Sequence, residues 1–269
     1  MIGAESHFYS IGEKQLHYLI LGEGNPVLFA FHGFGDHAGV FKILESSMGK
    51  LYTIISVDLP FHGQTKWGEG EPLTLNELLG FIEFILKLYQ QEQFSLAGFS
   101  LGGKVALALY HRLPERVERM FLFAPDGLKN NIWYNIAIYP KWGRQMFKHI
   151  LLRPNTFLRF VRILRYTHII QKQYALFIQK QLDSEQKRRL VWDIWNCLRG
   201  YERKRGELQA LIKQHQTKVL VVVGKYDRII KPAFGKRFCT NLTSAELLVI
   251  DKGHYLLKDY LNPYLAERL

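Results

Sequence analysis

The chain has 269 residues and a formal net charge of +12, and its 48% hydrophobic and 22% charged residues are typical of a globular protein with one large core. It contains no run of eighteen uncharged apolar residues and no pattern of a secretory signal, so neither a transmembrane helix nor export is expected. The only two cysteines, Cys197 and Cys239, form neither a disulfide framework nor a metal-binding pair, which predicts reduced thiols in a cytoplasmic protein.

Short strand-like runs alternate with helical patterns along most of the chain. Thr74, followed three residues later by Glu77, predicts a capping box at the start of the first long helix. This alternation predicts an α/β fold with a mostly parallel central sheet, helices on both faces and one antiparallel pair at an edge. The predicted strands are residues 7–11, 15–21, 27–31, 53–57, 94–97, 117–123, 218–223 and 247–250, and the helices between them are 75–91, 102–113 and 233–241.

A helical insertion interrupts this alternation between Asp126 and about Gln216. Four or five helices are predicted there, among them residues 154–166, 169–181 and 184–198. Helices that interrupt a βα repeat are typical of a lid or cap. We therefore expect a core of residues 1–126 and 214–269 and a helical cap of residues 127–213, inserted between strands 6 and 7.

The positive charge is concentrated in this insertion. Residues 127–213 hold 18 Lys and Arg against 5 Asp and Glu, a balance of +13, whereas the rest of the chain has a balance of −1. Arg159, Arg162, Arg165 and Lys172 fall on one side of a predicted helix. They form either a solvated basic face or a site for an anionic lipid surface or an acidic headgroup. Without zinc-ligand spacing or a basic leash, a nucleic-acid partner is not expected.

The pentapeptide Gly98-Phe99-Ser100-Leu101-Gly102 is a G-x-S-x-G motif. It lies between a predicted strand and a predicted helix, which is the setting that a nucleophilic serine on a sharp turn requires. Glycine two positions before and after the serine would avoid collisions with neighbouring backbone. Ser100 is therefore the predicted nucleophile, and a glycine-rich turn without chemistry is the alternative.

A second glycine-containing turn, His32-Gly33-Phe34-Gly35, follows the strand at 27–31. The tetrahedral intermediate of acyl transfer needs two N–H donors for its oxyanion. One is expected from Leu101, directly after the nucleophile, and the other from Phe34 in this turn. Alone, the second motif favours an ordinary turn at the end of a strand, but its presence together with the serine motif favours an oxyanion hole.

Together these motifs resemble the α/β-hydrolase superfamily over essentially the whole chain. Asp58–Gly63 is similar to the family's D-x-P-G-x-G loop, except that Phe61-His62 stands in place of the usual glycine and one further residue. A serine rather than an aspartate at the nucleophile position separates the chain from the epoxide-hydrolase and haloalkane-dehalogenase branches. The matching segments are residues 32–35, 58–63, 98–103, 224–227 and 253–254.

The resemblance also implies the base and the acid. The family order of nucleophile, acid and histidine places the base after Ser100, and His254 lies in a glycine-containing loop after the last strand. Asp227, which follows the strand at 218–223, stands at the family's usual acid position. Asp126 is the alternative acid, because some members carry the acid after the preceding strand.

We therefore expect a serine hydrolase that cleaves an ester or related acyl bond through an acyl-enzyme, with no metal or organic cofactor. The expected substrate is a small acyl compound with an apolar part, since an aromatic-rich cap would form an apolar pocket. The same aromatic residues also fit a core within the cap itself. A carbon–carbon bond hydrolase of the ring-fission type and a non-catalytic ligand-binding member of the fold stay open. The aromatic residues in question include Trp133, Trp142, Trp192 and Trp195.

Overall fold

The computed structural model describes residues 5–129, 132–169, 179 and 182–269. Most of the predicted helix at 169–181, including Lys172, lies outside the described residues, and so does the side chain of Trp133.

One eight-stranded sheet organises the chain, in the order β1-β2-β4-β3-β5-β6-β7-β8. Strands β3 to β8 run parallel, whereas β2 is antiparallel to both β1 and β4. The predicted fold class is confirmed, including the antiparallel edge pair. The strands are β1 (Glu5–Ile11), β2 (Lys14–Leu21), β3 (Val27–Phe31), β4 (Thr53–Val57), β5 (Phe94–Phe99), β6 (Val117–Phe123), β7 (Lys218–Gly224) and β8 (Ala245–Ile250).

The composition of the strands explains their positions in the sheet. Every residue of β3, β4 and β5 is buried, as expected for parallel strands covered on both faces, and their sequences are almost continuously apolar. Strand β1, at the edge, has no fully buried residue and alternates between partly and fully exposed positions. The carboxyl ends of the parallel strands meet at one edge of the sheet, where loops can bring distant residues together.

Helices connect the strands and form the insertion. Helix α2 begins after Thr74, whose hydroxyl accepts the N–H of Glu77 while the Glu77 carboxylate accepts the Thr74 N–H, so the predicted capping box is confirmed. Two short 3₁₀ helices cover Ala38–Leu44 and Asp259–Leu261. The described α-helices are α1 (Glu45–Met48), α2 (Leu75–Leu88), α3 (Leu101–Arg112), α4 (Ile132–Ile138), α5 (Lys141–Leu152), α6 (Pro154–Tyr166), α7 (Glu185–Cys197), α8 (Arg205–His215), α9 (Pro232–Cys239) and α10 (Asn262–Ala266).

The chain divides into two compact units. Unit 1 comprises Met1–Trp67, Thr74–Asn130 and Gly200–Leu269, and unit 2 comprises Gly68–Leu73 and Asn131–Arg199. This division differs from the predicted insertion at 127–213, because α8 packs against α3 and α9 and so belongs to unit 1. The role of unit 2 as a cap stays a prediction.

Unit 2 has a small core of its own, built from the inner faces of α5, α6 and α7. Trp192 is buried in it and Trp195 packs against it, with the ring of Trp195 stacked on Phe147 at 5.1 Å between centroids. Trp142, in contrast, is 60% exposed. Among the described residues, no helix is both long enough and apolar enough to cross a membrane. The core residues are Leu151, Phe157, Val161, Val191 and Trp192.

Candidate active site

Ser100 lies on a sharp turn between β5 and α3. Its backbone has φ 50° and ψ −114°, an unusual conformation for a residue other than glycine, and its N–H donates to the carbonyl of Phe123 at 2.9 Å. A Cβ atom on Gly98 would lie 2.6 Å from the carbonyl oxygen of Gly102, and one on Gly102 would lie 1.9 Å from that of Phe31. The structure therefore requires glycine on both sides of the serine, in the strand–turn–helix setting that the motif predicts.

The structure brings Ser100, His254 and Asp227 together in one hydrogen-bonded series. The hydroxyl of Ser100 lies 3.0 Å from Nε2 of His254, and Nδ1 of His254 lies 2.7 Å from Oδ2 of Asp227. The side chain of Asp227 is 0% exposed, and its other oxygen accepts the N–H groups of Ile229 and Ile230 at 2.7 and 2.9 Å. Three donors therefore hold this buried carboxylate in a fixed orientation toward the imidazole.

The backbone explains how Asp227 and His254 meet although they follow different strands. The turn after β7 is closed by the N–H of Asp227, which donates to the carbonyl of Gly224 at 3.0 Å. The N–H of Tyr226 donates to Lys252 in the loop after β8, also at 3.0 Å. A Cβ atom on Gly224 would lie 2.1 Å from the carbonyl oxygen of Gly253, so only glycine allows the two loops to approach this closely.

Asp126, the alternative acid, has a different partner. Its Oδ2 lies 3.0 Å from Nζ of Lys104, and the same ammonium group lies 2.8 Å from Glu202. The Lys104 side chain is only 6% exposed, so Asp126 helps to neutralise a buried positive charge. The geometry favours Asp227 over Asp126 as the acid that contacts His254.

The two expected oxyanion donors follow β3 and β5, which are neighbouring parallel strands. Leu101 is the first residue of α3, a position whose N–H has no carbonyl partner within its own helix. Phe34 lies in the turn after β3, and the carbonyl of the preceding Gly33 accepts Nδ1–H of His32 at 2.7 Å. In a trans peptide the N–H points opposite to the carbonyl, so this bond also fixes the direction of the Phe34 N–H.

The same features place the chain among known proteins. Residues 26–259 match the family model of the alpha/beta hydrolase fold. The chain belongs to the α/β-hydrolase fold family.

Relatives of this α/β hydrolase include named enzymes. It is 28% identical over 232 residues to the pimeloyl-[acyl-carrier protein] methyl ester esterase of Nitrosomonas europaea, covering 81% of this chain and 83% of the relative. It is 25% identical over 280 residues to the 2-hydroxy-6-oxononadienedioate/2-hydroxy-6-oxononatrienedioate hydrolase of Comamonas testosteroni, covering 93% and 90%. Among solved structures, the 2-hydroxy-6-oxo-6-phenylhexa-2,4-dienoate hydrolase of Rhodococcus sp. strain RHA1 has the same fold, with a TM-score of 0.65 at 21% identity and 99% of both chains covered.

Two buried histidines of the α/β hydrolase hold the turn that contains Phe34. His32 accepts the N–H of Leu59 at Nε2 (3.0 Å), while its Nδ1–H donates to Gly33 as described above. His62 accepts the N–H of Gly35 at Nε2 (2.9 Å) and donates Nδ1–H to the carbonyl of Pro60 (3.0 Å). The peptide bonds on both sides of Phe34 are therefore each fixed by one imidazole.

In the sequence, these histidines stand out only as parts of two motifs. Their rings meet edge to face, with centroids 4.9 Å apart, although they are thirty positions apart in the chain. Each motif contains a histidine followed by a glycine. Nothing in the local sequence shows that the histidine of each motif bonds to the backbone of the other motif.

Both imidazoles are neutral at pH 7. Burial, and after it the neighbouring His62 ring, lowers the pKa of His32 to about 3. Burial also lowers the pKa of His62. A neutral imidazole has one donor and one acceptor nitrogen, which is the pattern that both rings show. Protonation of His62 would convert Nε2 into a donor and break its bond with the N–H of Gly35.

The buried His32 predicts a pH dependence of folding stability. An unfolded histidine takes up its proton near pH 6.5, whereas folded His32 does so only near pH 3. The His32 contribution to the free energy of unfolding should therefore be complete above about pH 6.5 and fall by about 1.4 kcal/mol per pH unit below it. Denaturant unfolding of wild type and His32→Gln at pH 7, 6 and 5 measures this slope. We expect the stability difference between them to shrink as the pH falls, and parallel profiles would contradict the assignment.

A tyrosine–aspartate contact joins the Phe34 turn to the loop of His254. The hydroxyl of Tyr255 donates to Oδ1 of Asp36 at 3.1 Å. Burial, and then the Asp36 carboxylate, raises the pKa of Tyr255 to about 12, and burial raises the pKa of Asp36. The ring of Phe99 packs against both Tyr255 and His254, with centroids 5.3 and 5.5 Å away. These contacts restrict the movement of the loop that carries His254 on the side of the Phe34 turn.

A second Ser–His–Asp series includes Asp58, which directly precedes the Leu59 that bonds to His32. Ser6 lies 2.8 Å from Nε2 of His17, and Nδ1 of His17 lies 2.7 Å from Asp58. Ser6 belongs to the regular strand β1, where it pairs with Leu19, and no helix begins after it. It therefore lacks the exposed turn and the helical N–H group that accompany Ser100, and it supplies a matched control for experiments on Ser100.

Proposed function

We propose that the chain is a serine hydrolase that cleaves an ester or a related acyl bond of a small substrate with an apolar part, through an acyl-enzyme. The hydrogen-bonded series from Ser100 through His254 to Asp227 carries this proposal. Relatives named as an ester esterase and as a hydrolase support the reaction class. The complete series also argues against a ligand-binding member of the fold that has lost its chemistry.

In the first half of the reaction, the Ser100 oxygen attacks the carbonyl carbon of the substrate as its proton passes to Nε2 of His254. The carbonyl oxygen becomes an oxyanion, and the N–H groups of Phe34 and Leu101 are the proposed donors to it. The carbon–leaving-group bond then breaks, and the leaving group takes the proton from His254. The acyl group remains bonded to Ser100.

In the second half, water attacks the acyl carbon while His254 accepts one of its protons. A second oxyanion forms in the same position and collapses, the bond to Ser100 breaks, and His254 returns its proton to the serine oxygen. The products are a carboxylic acid and free enzyme. Asp227 stays ionised throughout, because its role is to hold the imidazole tautomer and to stabilise the imidazolium.

Hydrolysis of a carbon–carbon bond in a ring-fission product is the second candidate. The Comamonas testosteroni relative, whose match covers 93% of this chain, is named as a 2-hydroxy-6-oxononadienedioate hydrolase. Such a reaction would use the same three side chains, so the choice depends on the substrate. Turnover of p-nitrophenyl esters of increasing acyl length, measured beside an acyl thioester and a ring-fission dienoate, distinguishes the candidates by their kcat/KM values.

Covalent labelling tests the proposed nucleophile directly. A fluorophosphonate probe should label the wild-type chain at Ser100, because only an activated serine oxygen displaces the fluoride. Ser100→Ala should abolish labelling, whereas Ser6→Ala should retain it, since Ser6 bonds to a different histidine and aspartate and lies in a regular strand rather than on a sharp turn. Mass spectrometry of the labelled peptide identifies the site. Labelling at Ser6, or undiminished labelling of Ser100→Ala, would contradict the proposal.

A further inference from the structure

The outer face of helix α6 combines exposed apolar and basic side chains. The inner face of α6 packs through Phe157 and Val161 into the core of unit 2. On the other side Tyr166 is 84% exposed, and Leu158 and Ile163 are also exposed. Three arginines alternate with these residues around the same exposed surface. We call this surface the α6 face; it consists of Leu158, Arg159, Arg162, Ile163, Arg165 and Tyr166.

No carboxylate balances these arginines locally. Residues 127–182 contain ten Lys and Arg and not one Asp or Glu. Within the described residues, none of Arg159, Arg162 and Arg165 forms an ion pair. The α6 face therefore presents a concentrated positive charge together with apolar groups that remain in contact with water.

Helix α7, in the same unit, has an outer surface on which positive and negative side chains are paired. Lys187 pairs with Asp183 at 2.9 Å, and Arg189 pairs with Glu185 at 3.2 Å. These are exposed, charge-balanced i,i+4 pairs, which are typical of a helix surface that faces only water. The contrast shows that the composition of the α6 face is not a general property of unit 2.

We propose that the α6 face docks onto a lipid bilayer that carries anionic headgroups. A helix of this kind lies in the plane of the interface, with its apolar and aromatic side chains among the acyl chains and headgroups. Its arginines contact lipid phosphates, and their long side chains allow the charged groups to stay at headgroup level. In this arrangement the positive charge of the α6 face is neutralised and its exposed apolar groups are removed from water at the same time.

The apolar groups favour lipid over other polyanions. A nucleic acid or an acidic protein would neutralise Arg159, Arg162 and Arg165 through charge alone. Neutralisation of charge alone would leave the aliphatic side chains of Leu158 and Ile163 exposed to water. In a bilayer, by contrast, burial of these side chains contributes to affinity in proportion to the apolar area removed from water.

Vesicle flotation tests the proposal without reference to turnover, so its outcome is independent of the proposed function. The intact chain is mixed with phosphatidylcholine vesicles that contain either no anionic lipid or about a third phosphatidylglycerol. We expect binding to the anionic vesicles, little binding to the neutral ones, and a steep loss of binding as salt increases, because the attraction is screened over about 8 Å at physiological ionic strength. Circular dichroism of each variant confirms that its helices form.

Three variants identify the surface. Arg159→Gln/Arg162→Gln/Arg165→Gln should weaken binding on the order of 100-fold, since each basic residue near an anionic surface contributes about fivefold. Ile163→Ala/Tyr166→Ala should also weaken binding, about tenfold or more. Lys187→Gln/Arg189→Gln, on the charge-balanced face of α7, removes two positive charges and should bind nearly as wild type.

Several results would overturn the proposal. Equal binding to neutral and anionic vesicles, or binding to neither, would exclude an anionic lipid partner. Wild-type affinity of the triple arginine variant would exclude the α6 face. Loss of binding in the arginine variant, with full binding of Ile163→Ala/Tyr166→Ala, would indicate a general polyanion site. Competition by an acidic protein or RNA would then identify the partner as a different class of macromolecule.

Discussion

Replacement of Ser100 by alanine is expected to lower kcat for an activated ester on the order of 10⁴–10⁶-fold. The variant keeps His254 and the N–H groups of Phe34 and Leu101, but it has no oxygen that can form the acyl-enzyme. Residual turnover would come from binding and from the oxyanion donors alone. Steady-state kinetics with p-nitrophenyl esters measures the loss, and the absence of a burst phase in stopped-flow experiments confirms that no acyl-enzyme accumulates.

Ser6→Ala is the matched control for this measurement. Ser6 has the same pair of partner types, His17 and Asp58, at 2.8 and 2.7 Å, but it lies in β1. Its replacement should leave kcat within about twofold of wild type. A substitution at an exposed position outside the site rarely has an effect beyond the local stability of the fold. If Ser100→Ala retains wild-type turnover in a folded protein, another residue performs the attack and the proposed mechanism is wrong.

Asp227→Asn is expected to lower kcat by about 10⁴-fold without unfolding the chain. The amide can still accept the N–H groups of Ile229 and Ile230 through its oxygen. Its NH₂ group would then face Nδ1 of His254 and favour the tautomer in which Nε2 carries the proton. In that tautomer, the imidazole cannot accept the proton of Ser100.

Asp126→Asn distinguishes the two candidate acids. Asp126 contacts Lys104 rather than His254, so we expect its replacement to affect kcat by less than about tenfold. The variant should instead lower stability, because a buried ammonium group loses one of its two carboxylate partners. Kinetics and thermal unfolding of both purified variants provide the comparison. A larger loss of kcat in Asp126→Asn than in Asp227→Asn would identify Asp126, which follows β6, as the catalytic acid.

The parts of the fold that could be predicted from the sequence are those specified locally. The bounds of β3, β4 and β6 agree with the predicted strands, since short runs rich in apolar and β-branched residues between turn residues indicate strands without reference to the rest of the chain. The capping box at Thr74 is equally local. In contrast, the second antiparallel contact, between β2 and β4, was not predicted, because strand order depends on packing rather than on any one segment.

The bounds of unit 2 also depend on packing rather than on local sequence. Helical periodicity continues through α8, so the predicted insertion extended to residue 213. Periodicity shows that a helix has an apolar face, but it does not show which neighbour covers that face. In the structure α3 and α9 pack against α8, which places α8 in unit 1.

At the site, Ser100 could be recognised from five residues and their setting. Asp227 and His254 needed the family's order of catalytic residues, because nothing local separates them from other loop residues. The two imidazoles that hold the Phe34 turn were not assigned at all. Their roles depend on bonds between loops, from His32 to Leu59 and from His62 to Gly35, which only the folded chain shows.

The ammonium group of Lys104 fixes both ends of the segment that connects β6 to α8. Asp126, just before unit 2 in the chain, and Glu202, just after it, bond to the same nitrogen atom within unit 1. The two ends of this segment are thereby held a few ångströms apart. We expect a variant with a shorter or longer segment in place of residues 131–199 to keep both contacts, because all three side chains belong to unit 1. Lys104, Asp126 and Glu202 therefore close unit 1 at the point where residues 131–199 leave it and rejoin it along the chain.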